Sequence, residues 1–245
     1  MITGSVTGLA YFGAAWSVST LVIHSGSISS AIYPKLLGGG KSDYLQDNIT
    51  KILYFAILLA ALSITFAKPG LFALNPIYAT AALLVLILTM RFILDTINRV
   101  FESFVTGIEK VDLNSESTLT NYAKSKLFVI PTFRLVQNGI YLILLVVGFV
   151  LLIPNHSEFD LLIYWALLGF FGVIPTTVYL SILMSRSFKI KIDLKSMSKY
   201  LIVCITIFGP LFLLTETYLK YNEKLIEFMP ELYYLLDLES EDIFC

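Results

Sequence analysis

The sequence predicts an all-α protein, a polytopic bundle of about six transmembrane helices. Of the 245 residues, 57% are hydrophobic and 14% are charged, and the mean hydropathy of +0.80 excludes an ordinary soluble domain. The apolar residues also fall into long stretches, most of them near the about 20 residues that a helix needs to cross a bilayer. Since backbone polar groups cannot go unpaired in lipid, each long run is expected to be a helix.

The predicted spans divide the chain into a helical bundle, residues 1–219, and an acidic tail, residues 220–245. The tail is too charged to enter lipid cheaply, so we expect a non-spanning segment or a truncated final span. The second span is short, but apolar residues beyond 68–70 extend it. The third is expected to continue as a helix to about Val105. The spans are predicted at 6–33, 52–67, 77–97, 127–153, 161–184 and 200–219.

The distribution of basic residues predicts the orientation of these spans. Twelve Lys and Arg residues lie in the connections 34–51, 98–126 and 185–199. Three lie in the opposite set, Lys68 after the second span and Lys220 and Lys224 after the sixth. The positive-inside rule places the basic connections in the cytoplasm and both chain ends outside it. The sequence therefore predicts a multi-pass protein of the cell membrane.

The first predicted span has a face of small and hydroxyl-bearing residues. Such a face in lipid turns either toward close-packed helices, which we favour here, or toward a water-filled cavity. His24, on this face, is interpreted as a packed, hydrogen-bonded residue or as a residue of such a cavity. The residues of the face are Gly13, Ser17, Thr20, His24, Ser27 and Ala31.

Two arginines fall within predicted spans. Arg91 in the third span and Arg134 in the fourth are both expected about 10 Å from the cytoplasmic end of their helices. An arginine at depth costs about 2.5–3.5 kcal/mol on insertion scales, although snorkelling reduces this cost near the interface. Asp95 follows Arg91 by one turn and can neutralise one arginine, while Asn138 follows Arg134 by one turn.

Two interpretations of these charges stay open. In the first, the arginines face a cytoplasmic cavity that binds a phosphate or diphosphate group, because guanidinium forks donate paired hydrogen bonds to its oxygens. Arg91, Arg134, Asp95, Asn138 and His24 are then the candidate site residues. In the second, Arg91 pairs with Asp95 and anchors its helix, and Arg134 snorkels to lipid head groups.

Other function classes find little support in the sequence. Two histidines and two cysteines form no catalytic or metal-binding constellation, so we expect neither an enzyme nor a cofactor. The net charge of −1 gives no reason to expect nucleic acid as a partner.

Two motifs resemble polysaccharide flippases of the MOP (multidrug/oligosaccharidyl-lipid/polysaccharide) exporter superfamily. Residues 8–17, GLAYFGAAWS, followed by 33–36, YPKL, resemble a span of that family that ends at a proline before a cytoplasmic connection. Residues 74–81, LNPIYATA, are similar to the start of its next span. The resemblance covers most of residues 5–219 and implies the carboxyl-terminal portion, one lobe, of a carrier that works by alternating access.

The resemblance implies a lipid-linked oligosaccharide as substrate, in contact with the lipid bilayer. It also implies that arginines bind the lipid diphosphate, which makes Arg91 and Arg134 the candidates. Members of the family have about twice as many spans, arranged as two lobes, so a complementary amino-terminal lobe on another chain is an expected partner. The alternatives are a multidrug or ion antiporter of related fold and a non-transporting membrane assembly subunit.

Overall fold

The structure is a computed structural model that describes residues 6–31, 42–107, 119–154, 156–187, 194–219 and Tyr221. Helices form most of this part of the chain, and none of its residues belongs to a strand, so the predicted all-α class is confirmed. Two 3-10 segments, Thr20–Ala31 and Pro76–Ala81, interrupt the order of α-helices. The α-helices are α1 (Val6–Ser19), α2 (Ser42–Thr65), α3 (Ala67–Leu74), α4 (Ala82–Gly107), α5 (Leu119–Lys124), α6 (Lys126–Leu152), α7 (Glu158–Ser187) and α8 (Leu194–Tyr218).

Four helical stretches of the described residues are long and apolar enough to cross a membrane. The pair α2 and α3 passes the same test together and makes a fifth span if the two count as one. A multi-pass membrane protein is therefore plausible from helix length and hydropathy, with four or five spans where the sequence predicted six. The four stretches are Pro76–Gly107, Lys126–Leu152, Glu158–Arg186 and Lys195–Tyr218.

The first predicted span, 6–33, is not among these helices. Its α-helical part, α1, has 14 residues, about 21 Å, which is shorter than about 30 Å of hydrocarbon. The chain then continues as a 3-10 helix. Hydroxyl groups of this segment bond to backbone carbonyls, as in Thr20 to Ser17 (2.7 Å) and Ser25 to Val22 (2.6 Å), and such bonds compete with the α-helical pattern.

Helical structure continues past residues 68–70, as expected for the second span, but only after a bend, so the pair α2 and α3 forms either one broken span or a re-entrant loop. The helix stops at Thr65 and resumes at Ala67, and the two parts meet at 60°. Pro69 lies in the first turn of α3, where its missing N–H breaks no helical hydrogen bond. Leu71 and Phe72 are fully buried, so α3 is held by packing.

Helix α4 lies at the centre of the bundle and packs against α7, α2, α1 and the first 3-10 segment. The prediction that the third span continues as a helix to about Val105 is confirmed, because α4 ends at Gly107. Its buried apolar residues belong to two core clusters, one around Leu84 and Leu88 and one around Phe101 and Phe104. A charged strip, formed by Arg91, Asp95, Arg99 and Glu102, occupies another part of its surface.

The last turn of α8 is tied to α3. The Lys68 ammonium lies 2.6 Å from a Glu216 carboxylate oxygen and 4.3 Å from the centre of the Tyr221 ring. Tyr221 donates a hydrogen bond to the carbonyl of Thr215 (2.8 Å), and burial raises the pKa of its hydroxyl, with the Glu216 charge adding to the shift. Of the predicted tail 220–245, all but Tyr221 lies outside the described residues.

Candidate functional site

The charged strip of α4 contains Arg91, Asp95, Arg99 and Glu102. Arg91 Nε lies 3.7 Å from Asp95 Oδ2, one turn apart on the same helix. This distance is too long for a hydrogen bond, so the pair attracts mainly through charge. The positive charges of Arg99 and of Arg134 on α6 also act on Asp95, in addition to that of Arg91.

The Arg91 side chain extends from α4 into the space between three other helices, α1, α6 and α7. Its guanidinium carbon lies 5.4 Å from the centre of the Trp16 ring of α1, and the group interacts with the Tyr141 hydroxyl of α6. On α7 the side chain crosses Gly169, where a Cβ atom would lie 2.6 Å from Arg91 Nη1. The buried Nε of Arg91 makes no hydrogen bond within the described part of the chain. Arg91 is therefore a packed residue at a helix junction.

Arg134 forms an ion pair with Glu102, with 2.7 Å between Nη2 and Oε2. Glu102 follows Arg91 by eleven residues, or about 16 Å of helix. Arg134 thus pairs with a carboxylate about three turns further along α4 than Arg91, and the expectation of a similar depth for the two arginines stays a prediction.

A cavity of about 640 Å³ lies beside this ion pair. Its walls are formed by the first 3-10 segment, α4 and α6. The cavity therefore lies between the polar face that the sequence predicted for residues 6–33 and the charged strip of α4. Hydroxyl groups of Ser103 and Thr106 add polar character, although each donates to a backbone carbonyl of its own helix. The polar residues of the lining are His24, Ser27, Arg99, Glu102, Ser103 and Thr106.

His24 is exposed and lines the cavity, which agrees with the second of its two interpretations. Ser27 lines the cavity beside it. Asn138, in contrast, is exposed on α6 and is not part of the lining. Its neighbour Gln137 bonds instead to α7, where it donates to the carbonyl of Gly172 and accepts from the Thr176 hydroxyl.

Arg99 is a cavity residue that was not among the candidates predicted from the sequence. It is exposed, it lines the cavity, and it forms no ion pair with a carboxylate of the described residues. The spacing of Arg91, Asp95 and Arg99 already contained the signal, but Arg99 lay just outside the predicted span. The charged strip of α4 and Arg134 of α6 together form a charged cluster with a formal charge of +1. Its members are three arginines and two carboxylates, namely Arg91, Arg99, Arg134, Asp95 and Glu102.

Comparison with protein-family models, curated proteins and solved structures finds no match to this chain. The family resemblance therefore stays a prediction from the motifs. Among the described residues, no group of three or more His, Cys, Asp or Glu side chains could hold a metal ion. The site is a cationic, partly hydroxyl-lined cavity within a bundle of apolar helices.

Proposed function

We propose that this chain is a membrane transport protein, or one lobe of one, that moves a lipid-linked oligosaccharide precursor across the membrane. The observation that carries the proposal is the cavity of about 640 Å³ with Arg99 on its wall and the Arg134–Glu102 pair beside it. A polar cavity among apolar helices would give a charged head group a favourable environment within the bundle.

The physical need for such a cavity is clear. A diphosphate that links a lipid to a sugar carries charge, and an ionised group is costly to move into hydrocarbon. Guanidinium groups offset this cost because each donates paired hydrogen bonds to phosphate oxygens. The hydroxyls of Ser103 and Thr106 suit the polar head group of the same molecule.

The charges favour an anionic over a cationic cargo. An antiporter for cations needs a carboxylate that is free to bind its ion, and here Asp95 and Glu102 both lie beside arginines. The net charge of the cluster also repels a cation. A non-transporting assembly subunit is the remaining alternative, and the transport experiment separates it from the proposal.

The test is a flipping assay in sealed vesicles that contain the purified chain and a fluorescent polyprenyl-diphosphate oligosaccharide. We expect protein-dependent exchange of the label between leaflets, which a membrane-impermeant quencher detects. Arg99→Gln should lower the rate at least tenfold, because it removes the cavity cation that forms no ion pair with a carboxylate of the described residues.

The matched control is Arg186→Gln, which removes an exposed basic residue from the last turn of α7. Its rate should equal that of the wild type. Exchange no faster than in protein-free vesicles, or equal rates for wild type and Arg99→Gln, would contradict the proposal.

A further inference from the structure

We propose that Glu102 sets the affinity of the cavity for a diphosphate group by competing with that group for the Arg134 guanidinium. This inference rests on the proposed function for the class of ligand. It assigns Glu102 a role opposite to that of the arginines around it, since Glu102 weakens binding where they strengthen it.

The position of the ion pair supports a competition. Glu102 lines the cavity, and so does Pro131, which precedes Arg134 by about one turn on α6. The contact thus lies at the cavity wall, where an anion inside can reach the guanidinium. The Arg134 side chain is 36% exposed and that of Glu102 is 25% exposed. An ion pair this exposed is weak because water solvates both groups, so little free energy is lost when another anion replaces Glu102.

Phosphate oxygens can replace Glu102 because they offer the same chemistry as a carboxylate. Each group presents two coplanar or nearly coplanar acceptor oxygens to the guanidinium fork. Arg99 precedes Glu102 by three residues and therefore lies on the same face of α4. An anion that displaced Glu102 would gain contact with Arg134 while it stayed within reach of Arg99.

The charge of the cluster supports the same conclusion. With Glu102 ionised, the cluster has a formal charge of +1, which only half neutralises a diphosphate that is esterified at both ends. Without the Glu102 charge the cluster has +2, which matches one negative charge on each phosphorus. The wild-type site is thus tuned below its maximal affinity, as a carrier that must release its cargo requires.

The experiment measures binding to the purified full chain in lipid nanodiscs by calorimetry, with inorganic pyrophosphate and a polyprenyl diphosphate as separate probes. Glu102→Gln keeps the size of the side chain and removes its charge. We expect its Kd to fall about tenfold, whereas Arg99→Gln should raise the Kd. Glu216→Gln is the matched control. Glu216 also forms an ion pair, with Lys68 at 2.6 Å, but this pair is not part of the cavity lining.

If Glu102→Gln does not fold, Glu102→Asp provides the second variant, because its shorter side chain keeps the charge but withdraws from Arg134. It should also tighten binding, by less. A Kd equal to or weaker than wild type in the folded variant, for both probes, overturns the inference, and so does equal tightening by Glu216→Gln. Tightening with the lipid probe alone assigns the site to a lipid head group, and tightening with both extends it to the free diphosphate.

Failure of this inference is distinguishable from failure of the proposed function. Tighter binding in Glu102→Gln without any exchange in the vesicle assay leaves the binding role of Glu102 standing and ends the transport proposal. Exchange by the wild type with an unchanged Kd in Glu102→Gln ends the inference alone.

Discussion

At the scale of single residues, the position of Arg91 depends on a glycine of another helix. Arg91 passes over Gly169 toward the Trp16 ring and the Tyr141 hydroxyl, and a side chain at position 169 would occupy this path. Trp165 donates a hydrogen bond to the same Tyr141 hydroxyl at 2.7 Å. Arg91 therefore joins four helices, and its partner Asp95 is shared with the cavity arginines.

Gly169→Ala should displace Arg91 from the Trp16 ring. The added Cβ would lie 2.6 Å from Nη1 and 3.2 Å from Cζ, so the guanidinium must move, with an expected loss of about 1 kcal/mol in the free energy of unfolding. The measurement is the apparent Tm of the purified protein in detergent. Gly172→Ala is the control, since its Cβ would meet Tyr141 at an ordinary 3.7 Å.

A double variant tests the cause of this change. In an Arg91→Ala background the Gly169→Ala substitution should leave the Tm unchanged, because the atom that it displaces is gone. A loss of the same size in both backgrounds would show that Gly169 acts through something other than Arg91.

At the scale of elements, α6 is attached to the bundle through a narrow row of contacts with α7. Most of its surface is apolar and exposed, with Ile130 as its buried residue, which suits a helix in contact with lipid. The contacts include the Gln137 bonds to α7, the stacked rings of Phe133 and Tyr179, and the Tyr164 hydroxyl, which donates to the carbonyl of Leu144 at 2.7 Å. Since α6 supplies Arg134, this row also positions one wall of the cavity.

Gly148→Ala should loosen the attachment of α6. The Tyr164 ring lies directly against Gly148, so an added Cβ forces the ring away and breaks its bond to Leu144. We expect a loss of about 1–3 kcal/mol in the free energy of unfolding, as for other overpacked contacts. Thermal or denaturant unfolding in detergent measures it.

The same helix offers the control, because a Cβ at Gly139 would meet nothing within 4 Å. Gly139→Ala should match or exceed the wild-type stability, since alanine is the better helix former. Equal stability of the Gly148→Ala and Gly139→Ala variants would contradict the packing described for Tyr164.

The bounds of the helices were predicted best where the sequence contains a long, uninterrupted run of apolar residues. The predicted segments 127–153 and 161–184 agree within a few residues with the helices α6 and α7, because a long apolar run in lipid can satisfy its backbone only as a helix. The first segment differs because its glycines and hydroxyls leave α and 3-10 geometry close in energy, and packing decides between them. Hydropathy alone contains no information on that choice.

At the scale of the whole molecule, the sequence located the charges but not their partners. Arg91 and Asp95 were paired correctly because they are neighbours on one helix, and helical spacing alone brings them together. Arg134 and Glu102 lie on different helices, so their contact depends on how α4 and α6 pack. For the same reason Arg99 emerged as a cavity residue only once three elements were assembled around it.

The central claim is that a cationic, partly hydroxyl-lined cavity opens between the first 3-10 segment, α4 and α6. Cysteine labelling in sealed vesicles tests it most directly, in a background where Cys204 and Cys245 are replaced by serine. Single cysteines at His24 and Arg99 should react with a membrane-impermeant maleimide from the cytoplasmic side, and a cysteine at Leu135, which is 73% exposed on α6, should stay unreactive in lipid. Failure of both cavity positions to react, or equal labelling at Leu135, would contradict the account.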